Sequence, residues 1–403
     1  METEYSVYRY RWVVLAIYMY VSALTQLYWL NFAAITTYIE DRFKIPAGDV
    51  MWFTLVFPLV QVLLTLPAGI LIDKKGFKFG IGVGAVFTGV FSLFRLVDPG
   101  SFSILLISQI GISIGQPFVL NGITKLAVTW FSPKEEATAV GLGSLALFIG
   151  MMIALGATPW LVQNLSFESM LLIYGIMGIA GALAFLIFVK SRPPTPTRAA
   201  EIYTEVSNWG GIRNILKMRN FVILGFIAMV GIGVFNGLAT WLEKILHDLH
   251  GISMTDAGSI SALLILSGMV GCIIVPIISD KIRRRKLFII LTSAVGMICV
   301  PVLMFANGYD LNLANGILMG FFLISALPIM LTMSAEITGP RYAGVSVGYL
   351  QLLGNAAAVI IVAVMESLSA ATGNFIAPLA LLAVLLLGSL VMSILIRDTH
   401  PGA

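Results

Sequence analysis

The chain is a succession of apolar runs, each long enough to cross a bilayer as a helix. A crossing needs about 20 consecutive, mainly apolar residues. Twelve runs qualify: 12–37, 50–72, 79–97, 101–125, 137–162, 167–189, 220–243, 258–279, 287–306, 312–336, 343–368 and 375–396. Nothing in the composition could cover such runs against water. Only 11% of the residues are charged and 59% are hydrophobic, where a soluble chain carries about 25% charged residues. Soluble enzymes, nucleic-acid binders and disordered regulators are thereby excluded. A closed β-barrel would show short alternating segments instead. The expected fold class is an all-α membrane protein with twelve transmembrane helices.

The formal charge of +4 carries no nucleic-acid signal, because the basic residues sit in short loops between runs and set orientation. With the N-terminus inside, 20 of the 24 Lys and Arg residues fall on the cytoplasmic side; Arg42, Lys44, Arg95 and Lys244 fall on the other. A multi-pass protein of the cell membrane with both termini cytoplasmic is expected. Cys272 and Cys299 lie inside apolar runs and suggest no disulfide framework. The first run is long enough to span and lacks a small-residue cleavage site, so no cleavable signal peptide is expected.

Connections are short except at 190–219, where Pro193, Pro194 and Pro196 stop span 6 from continuing. This polar linker separates two expected bundles of six helices, 1–189 and 220–403. Residues 209–217 suit either a short surface helix or a plain linker. A constant offset of 207 links Asp73 to Asp280, Pro133-Lys134 to Pro340-Arg341, and Gly141 to Gly348. The halves therefore read as parallel, pseudo-symmetric repeats.

The loop after span 2, Gly69-Ile-Leu-Ile-Asp73-Lys-Lys-Gly76-Phe-Lys78, resembles the signature of the major facilitator superfamily, and Ser279-Asp280-Lys-Ile-Arg-Arg-Arg-Lys286 resembles its degenerate second copy. The resemblance covers the whole chain. A narrower one lies in Gly115-Gln116-Pro117-Phe118-Val119-Leu120, Lys125-Leu-Ala-Val-Thr-Trp130-Phe131 and Gln26-Leu-Tyr-Trp29-Leu-Asn31. These look like the feline leukaemia virus subgroup C receptor-related transporters, which move choline, ethanolamine, haem or related solutes. Monocarboxylate and other organic-anion carriers are broader relatives.

The superfamily resemblance implies gates at these loops. Asp73, with Lys74, Lys75, Gly76 and Lys78, is expected to meet the start of span 11 near Arg341 when the cytoplasmic side closes. Asp280, with Arg283 and Arg284, is expected to do the same at the start of span 5. At the repeat offset Arg283 replaces Gly76, so the copies are not equivalent. Gly141, Gly143, Gly150 and Gly156 in span 5, and Gly344, Gly348 and Gly354 in span 11, are expected to pack helices closely at the interface that rocks.

Polar residues deep in apolar spans are costly and so are candidates for function. Here they are Gln26, Asn31, Gln61, Gln109, Gln116, Asn121, Asn236, Gln351 and Asn355, with Trp29 among them. The resemblance places spans 1, 4, 7 and 10 around a central cavity. Trp29 and Asn236 differ by the repeat offset and should face each other there. The substrate set expected is Trp29, Gln116, Asn236 and Gln351 or Asn355, with Gln26, Asn31 and Asn121 as further lining. No acidic or basic residue falls in the middle of a cavity-lining span. Ser108-Gln109-Ile-Gly111 stands where proton antiporters of the superfamily carry an arginine in helix 4, and helix 5 lacks their Gly-Pro pair. Facilitated diffusion is therefore favoured, with Glu336 and Glu366 the remaining coupling candidates. An aromatic, amide-lined pocket suits a neutral or cationic solute such as a choline-like amine. A proton-coupled carrier of an organic anion, with Lys125 as cation, and haem transport are the alternatives. His247 and His250 could ligate a metal or haem, but a solvated loop pair is the favoured reading. No metal, cofactor or catalytic group is expected, and a monomer is.

Overall fold

The computed structural model describes residues 8–195, 213–339 and 342–398. Twelve of its helices are long and apolar enough to cross a membrane. They are numbered α1 (Arg11–Leu30), α2 (Ala47–Lys75), α3 (Phe77–Phe94), α4 (Phe102–Trp130), α5 (Glu136–Asn164), α6 (Phe167–Phe188), α7 (Arg219–His250), α8 (Met254–Ile282), α9 (Arg285–Phe305), α10 (Tyr309–Thr338), α11 (Ala343–Thr372) and α12 (Ile376–Leu395). Side chains such as Leu63, Leu66, Ile187, Ile277 and Val384 are exposed along them, as suits a chain whose solvent at that depth is lipid.

The chain divides into two compact units, Met1–Ile45 with Trp52–Ile202, and Pro46–Met51 with Tyr203–Ala403. In the first, α1 packs on α4 and α5, and α3 on α4 and α6. Its core joins Val14, Tyr18, Ile81, Val119, Leu126, Trp130 and Phe185. In the second, α7 packs on α11, α8 on α10, and α9 on α10 and α12, around Leu224, Ile227, Ile289, Ile329, Met333 and Leu350. Shifted by 207 residues, α2 coincides with α8 at both ends, and α4 and α5 match α10 and α11 to within one residue. The repeat is thus structural as well as sequential.

Helix ends follow capping chemistry. Hydropathy marks only where lipid stops. Ser101, Ser166 and Ser253 each accept a first-turn N–H, from Ile104, Ser169 and Asp256 respectively. α7 runs to His250, past the expected end at 243, and stops at Gly251 with φ +62°. Span 1, expected to run unbroken over 12–37, is interrupted. α1 ends at Leu30, a 3-10 turn covers Ala33–Ile35, and a two-turn helix follows over Thr36–Phe43. No proline or glycine lies there. Ile35, Thr36 and Thr37 form a β-branched run of poor helix propensity, and Ile35 leaves the helical region at φ −136°, ψ 33°.

Two pairs of positive-φ residues respect the same offset: Lys44 with Gly251, and Gly76 with Arg283. Arg283 therefore keeps a left-handed backbone (φ +60°) without the glycine that makes it easy. A left-handed L-residue costs about 1–2 kcal/mol, and glycine's extra unfolded-state freedom returns part of that. Arg283→Gly is expected to stabilise the protein by about 0.5–1 kcal/mol, read as a raised unfolding midpoint in detergent. A lowered midpoint would show that the arginine side chain matters more than the backbone.

The expectation of close packing at every glycine of spans 5 and 11 is only partly met. A Cβ built on Gly143 would meet Ile123 at 2.7 Å, and Gly150 and Gly354 are equally tight against Ala23 and Ile232. Gly141, Gly344 and Gly348 have open space around them. Elsewhere, Gly84 and Gly115 let the backbones of α3 and α4 approach so closely that a Cβ on either would lie 2.6 Å from the other's carbonyl oxygen.

Candidate functional site

Two faces of α1 have different fates. Ser22, Gln26 and Trp29 share one stripe, at spacings of four and three. Tyr28 and Phe32 lie on another. Gln26, Trp29 and Asn31 are all buried. The Trp29 indole Nε1 and both polar atoms of the Asn31 amide lack a hydrogen-bond partner among the described residues. Buried polar groups almost always have partners, so these atoms call for an explanation.

On α4, Gln109 and Gln116 stand two turns apart on one face. The Gln109 Nε2 donates to the carbonyls of Tyr28 at 3.1 Å and Phe53 at 2.8 Å. Tyr10, just before α1, meets Trp130 at the end of α4 with ring centroids 6.1 Å apart, so the two helices run antiparallel. Gln116 consequently lies about 10 Å along α4 from the level of Tyr28, toward the start of α1. Gln26 is one turn from Trp29 in that same direction. Gln116 is buried. Pro117, next to it, cannot donate to the Ser113 carbonyl and leaves that acceptor open. Asn121 is already engaged, its Nδ2 donating to the Thr65 carbonyl at 2.9 Å. Gln109 and Asn121 therefore hold helices together, whereas the Trp29 indole, the Asn31 amide, the Gln61 Oε1 and the Trp130 indole have no partner among the described residues, and Gln26 and Gln116 are buried near the first two.

Behind Tyr28 lies a residue that sequence reading assigned to an outer loop. Arg95 follows α3 and is fully buried. Its guanidinium carbon sits 4.9 Å from the Tyr28 ring centroid and 5.1 Å from that of Phe32. One terminal N–H donates to the Gln109 Oε1. Its Nε and other terminal nitrogen have no hydrogen-bond acceptor among the described residues. The Tyr28 hydroxyl donates to the Tyr174 carbonyl at 2.5 Å, and the Tyr174 and Thr158 hydroxyls are 2.8 Å apart. A buried cation thus rests between two aromatic faces, tying α1, α3, α4 and α6 on the Tyr28 side of α1. The Asp98-Pro99-Gly100 turn after it disguised Arg95 as a loop charge.

The charged ends differ between the units. Asp73 pairs with Lys125 on α4 at 3.5 Å, both about half exposed, 54% and 44%, so the pair is worth little by itself. Lys125, the cation proposed for an anionic substrate, is occupied there. Lys74 and Lys75 are exposed, and Lys75 Nζ lies 4.6 Å from the Phe79 ring centroid; Lys78 is half-buried. Arg11 reaches Glu135 at 2.9 Å. In the second unit Arg285, at the repeat offset from Lys78, is buried. Its Nε donates to both oxygens of Glu336, at 2.9 and 2.8 Å, and it pairs with Asp280 at 3.0 Å. Glu336, a coupling candidate, is therefore held in an ion-pair cluster with the gate candidate Asp280. Arg283 and Arg284 are exposed beside it. Arg341 lies outside the described residues, as do residues 209–212 of the segment considered for a surface helix.

The remaining candidates are in the second unit. Asn236 is buried, and its Nδ2 donates to Ile232 of its own helix at 2.8 Å. Asn355 does the same to the Gln351 carbonyl at 2.9 Å. Gln351 is exposed and Glu366 half-buried, with the Glu366 carboxylate over the Gly48 backbone. Glu243, read as a span-end charge, is buried inside the longer α7. The Trp241 Nε1 donates to the Val362 carbonyl at 3.4 Å. His250 bonds the Leu303 carbonyl at 2.8 Å, and His247 meets Asp248.

The sequence profile described as the Major Facilitator Superfamily matches residues 16–362. The chain belongs to the major facilitator superfamily. It is a membrane transporter and not an enzyme. The fold of this superfamily member is matched by the crystal structure of a bacterial homologue of the human lysosomal transporter Spinster, inward-facing and unoccupied, with a TM-score of 0.80 over 99% of this chain and 100% of that one, at 17% identity. Among curated proteins, the superfamily member is 29% identical over 395 residues to an uncharacterised MFS-type transporter of Caenorhabditis elegans, C09D4.1, covering 93% of this chain and 67% of that protein. It is 25% identical over 415 residues to the choline/ethanolamine transporter flvcr2a of Danio rerio, covering 97% and 87%. It is 28% identical over 371 residues to the choline/ethanolamine transporter FLVCR1 of Felis catus, covering 87% and 65%.

Proposed function

We propose that this transporter carries a small organic solute, a choline-like amine or another neutral or cationic metabolite, by alternating access and facilitated diffusion. The observation that carries the reading is a set of buried polar side chains: the Trp29 Nε1 and both ends of Asn31, without partners among the described residues, with Gln26 on the Trp29 face of α1 and Gln116 on α4. An indole face attracts a quaternary ammonium, and amides accept or donate without imposing charge. The relatives named choline/ethanolamine transporters support the same class. The anion alternative is weakened by the engagement of Lys125 with Asp73. In this reading Asn236, Gln351 and Asn355 also serve the solute, and Asp73 and Asp280 belong to gates. The protein acts as a monomer in the cell membrane with both termini cytoplasmic, as the distribution of Lys and Arg favours.

The axial separation of Trp29 and Gln116 gives the reading a shape. A solute touching both occupies the length between them, alongside Gln26. Trp29→Ala is expected to weaken choline binding to the purified protein by about tenfold, or 1–2 kcal/mol, and Trp29→Phe by less. Titration calorimetry with choline, with proteoliposome uptake in parallel, measures both. Normal binding and uptake by folded Trp29→Ala would place the pocket elsewhere. Uptake that accumulates choline against its gradient under an imposed pH difference would replace facilitated diffusion with coupling.

A further inference from the structure

The two units finish their membrane-spanning bundles differently at the ends where α1 and α7 begin. In the first unit that end is plugged and neutralised. Trp130, buried, packs against Tyr10; Arg11 pairs with Glu135 at 2.9 Å; Lys190 Nζ sits 5.3 Å from the Tyr10 ring centroid. At the repeat offset the second unit has Lys217 in place of Tyr10 and Ile337 in place of Trp130. Both aromatic rings are missing, and the space is open. A cavity of about 380 Å³ lies there, lined by Met218, Arg219, Asn220, Ile337, Leu395 and Arg397.

The chemistry of this cavity is one-sided. Arg397 occupies the repeat position of Lys190, and Arg219 opens α7. Both guanidiniums are exposed, and among the described residues no acidic side chain lines the cavity and neither arginine is ion-paired. Met218 provides no side-chain cap, and with the Phe221 and Val222 N–H groups donating to its carbonyl, those of Arg219 and Asn220 are the first-turn donors left at the cap. The Arg397 backbone N–H donates to the Asn220 Oδ1 at 3.4 Å, which brings the end of α12 to the start of α7. Lys286 adds a third cation at the rim, its Nζ donating to the Ile394 carbonyl at 2.6 Å. A concavity with two unpaired guanidiniums and an uncapped helix start selects an anion. Its surroundings select which anion. Leu216, Val222, Ile394 and Leu395 are exposed beside it, at the ends of two helices apolar enough to cross the bilayer. A soluble anion would use only the charge, whereas a phospholipid uses the charge and lays its chains on those side chains.

We propose that this cavity is a binding site for the phosphate headgroup of an anionic phospholipid, held by Arg219 and Arg397, in the leaflet that meets the start of α7. Among the described residues the corresponding place in the first unit is taken by Trp130 and the Arg11–Glu135 pair.

The test uses the full chain in phosphatidylcholine nanodiscs, with and without phosphatidylglycerol. Native mass spectrometry reads lipid retention, and thermal unfolding reads the midpoint. Phosphatidylglycerol is expected to be retained and to raise the midpoint. The double variant R219Q/R397Q should lose retention by about tenfold to thirtyfold, and R219K/R397K should keep most of it, which separates a lost site from a misfolded protein. R9Q/K134Q removes the same charge from the other unit and should retain the lipid like the unmodified chain. Equal loss in that control would reduce the effect to general surface attraction and overturn the proposal. So would undiminished retention in R219Q/R397Q. If inorganic phosphate displaces phosphatidylglycerol and raises the midpoint by itself, the site takes a soluble anion and the lipid assignment fails.

Discussion

Gln109→Leu is expected to destabilise the protein by about 3–5 kcal/mol, the range for stripping the partner from a buried charge. The Gln109 Oε1 is the one hydrogen-bond acceptor that Arg95 has among the described residues. The same side chain's Nε2 serves the carbonyls of Tyr28 and Phe53. One substitution therefore leaves a fully buried guanidinium supported only by the Tyr28 and Phe32 rings, and removes a donor from two buried carbonyls. Gln109→Glu should cost less than Gln109→Leu, because a carboxylate accepts from and neutralises Arg95, although its second oxygen faces the Tyr28 and Phe53 carbonyls without a proton to offer. Unfolding midpoints in detergent, compared across the three proteins, decide the matter. A Gln109→Leu protein within about 0.5 kcal/mol of the parent, the scatter expected of a neutral surface substitution, would mean that water supports Arg95.

The second large effect is expected at Arg285, where Arg285→Met should cost about 2 kcal/mol. It takes the bidentate partner from the Glu336 carboxylate, 26% exposed, and releases Asp280, which at 59% exposure rehydrates readily. Because Glu336 retains some water, the loss falls below that of a fully buried pair. A double-mutant cycle gives the decisive measurement. Arg285→Met with Glu336→Met should recover most of the loss, since removing both members of a poorly solvated pair is often neutral. Strictly additive losses would show that the bidentate contact contributes nothing. Asp280→Asn alone should change stability little.

The membrane-spanning architecture was legible because a bilayer demands about 20 apolar residues of every crossing helix, and no soluble solution competes for that pattern. The repeat was legible from Asp73 and Asp280, and it extends to backbone conformation, which composition could not reveal: Arg283 holds a positive φ with no glycine to announce it. Helix ends were misjudged where hydropathy and capping disagree, as in α7, which carries Glu243 inside rather than at its edge. Asn31 to Ile35 broke a span without proline or glycine, so the usual breakers gave no warning. Within the candidate site the residue types were readable and their availability was not. Gln26, Gln109, Gln116 and Asn121 look alike along the chain. Only packing shows that Gln109 and Asn121 are consumed by carbonyls of neighbouring helices. Arg95 could not be found from its neighbours in sequence, because the rings that hold it are contributed by α1 and the acceptor by α4.

The interruption after Leu30 gives the two units different mechanical responses to the membrane. α7 is a single rod of 32 residues, about 48 Å long at the usual rise per residue, well beyond the roughly 30 Å of a hydrocarbon core. In a thinner bilayer that rod can bring its apolar length back into register only by tilting as a whole. Its counterpart is jointed: α1 and the helix Thr36–Phe43 meet at a short 3-10 turn that begins four residues after Trp29, and this turn can absorb the same mismatch by bending. Bilayer thickness therefore acts on the indole of the first unit through a joint, and on Asn236 of the second through the inclination of a rigid rod.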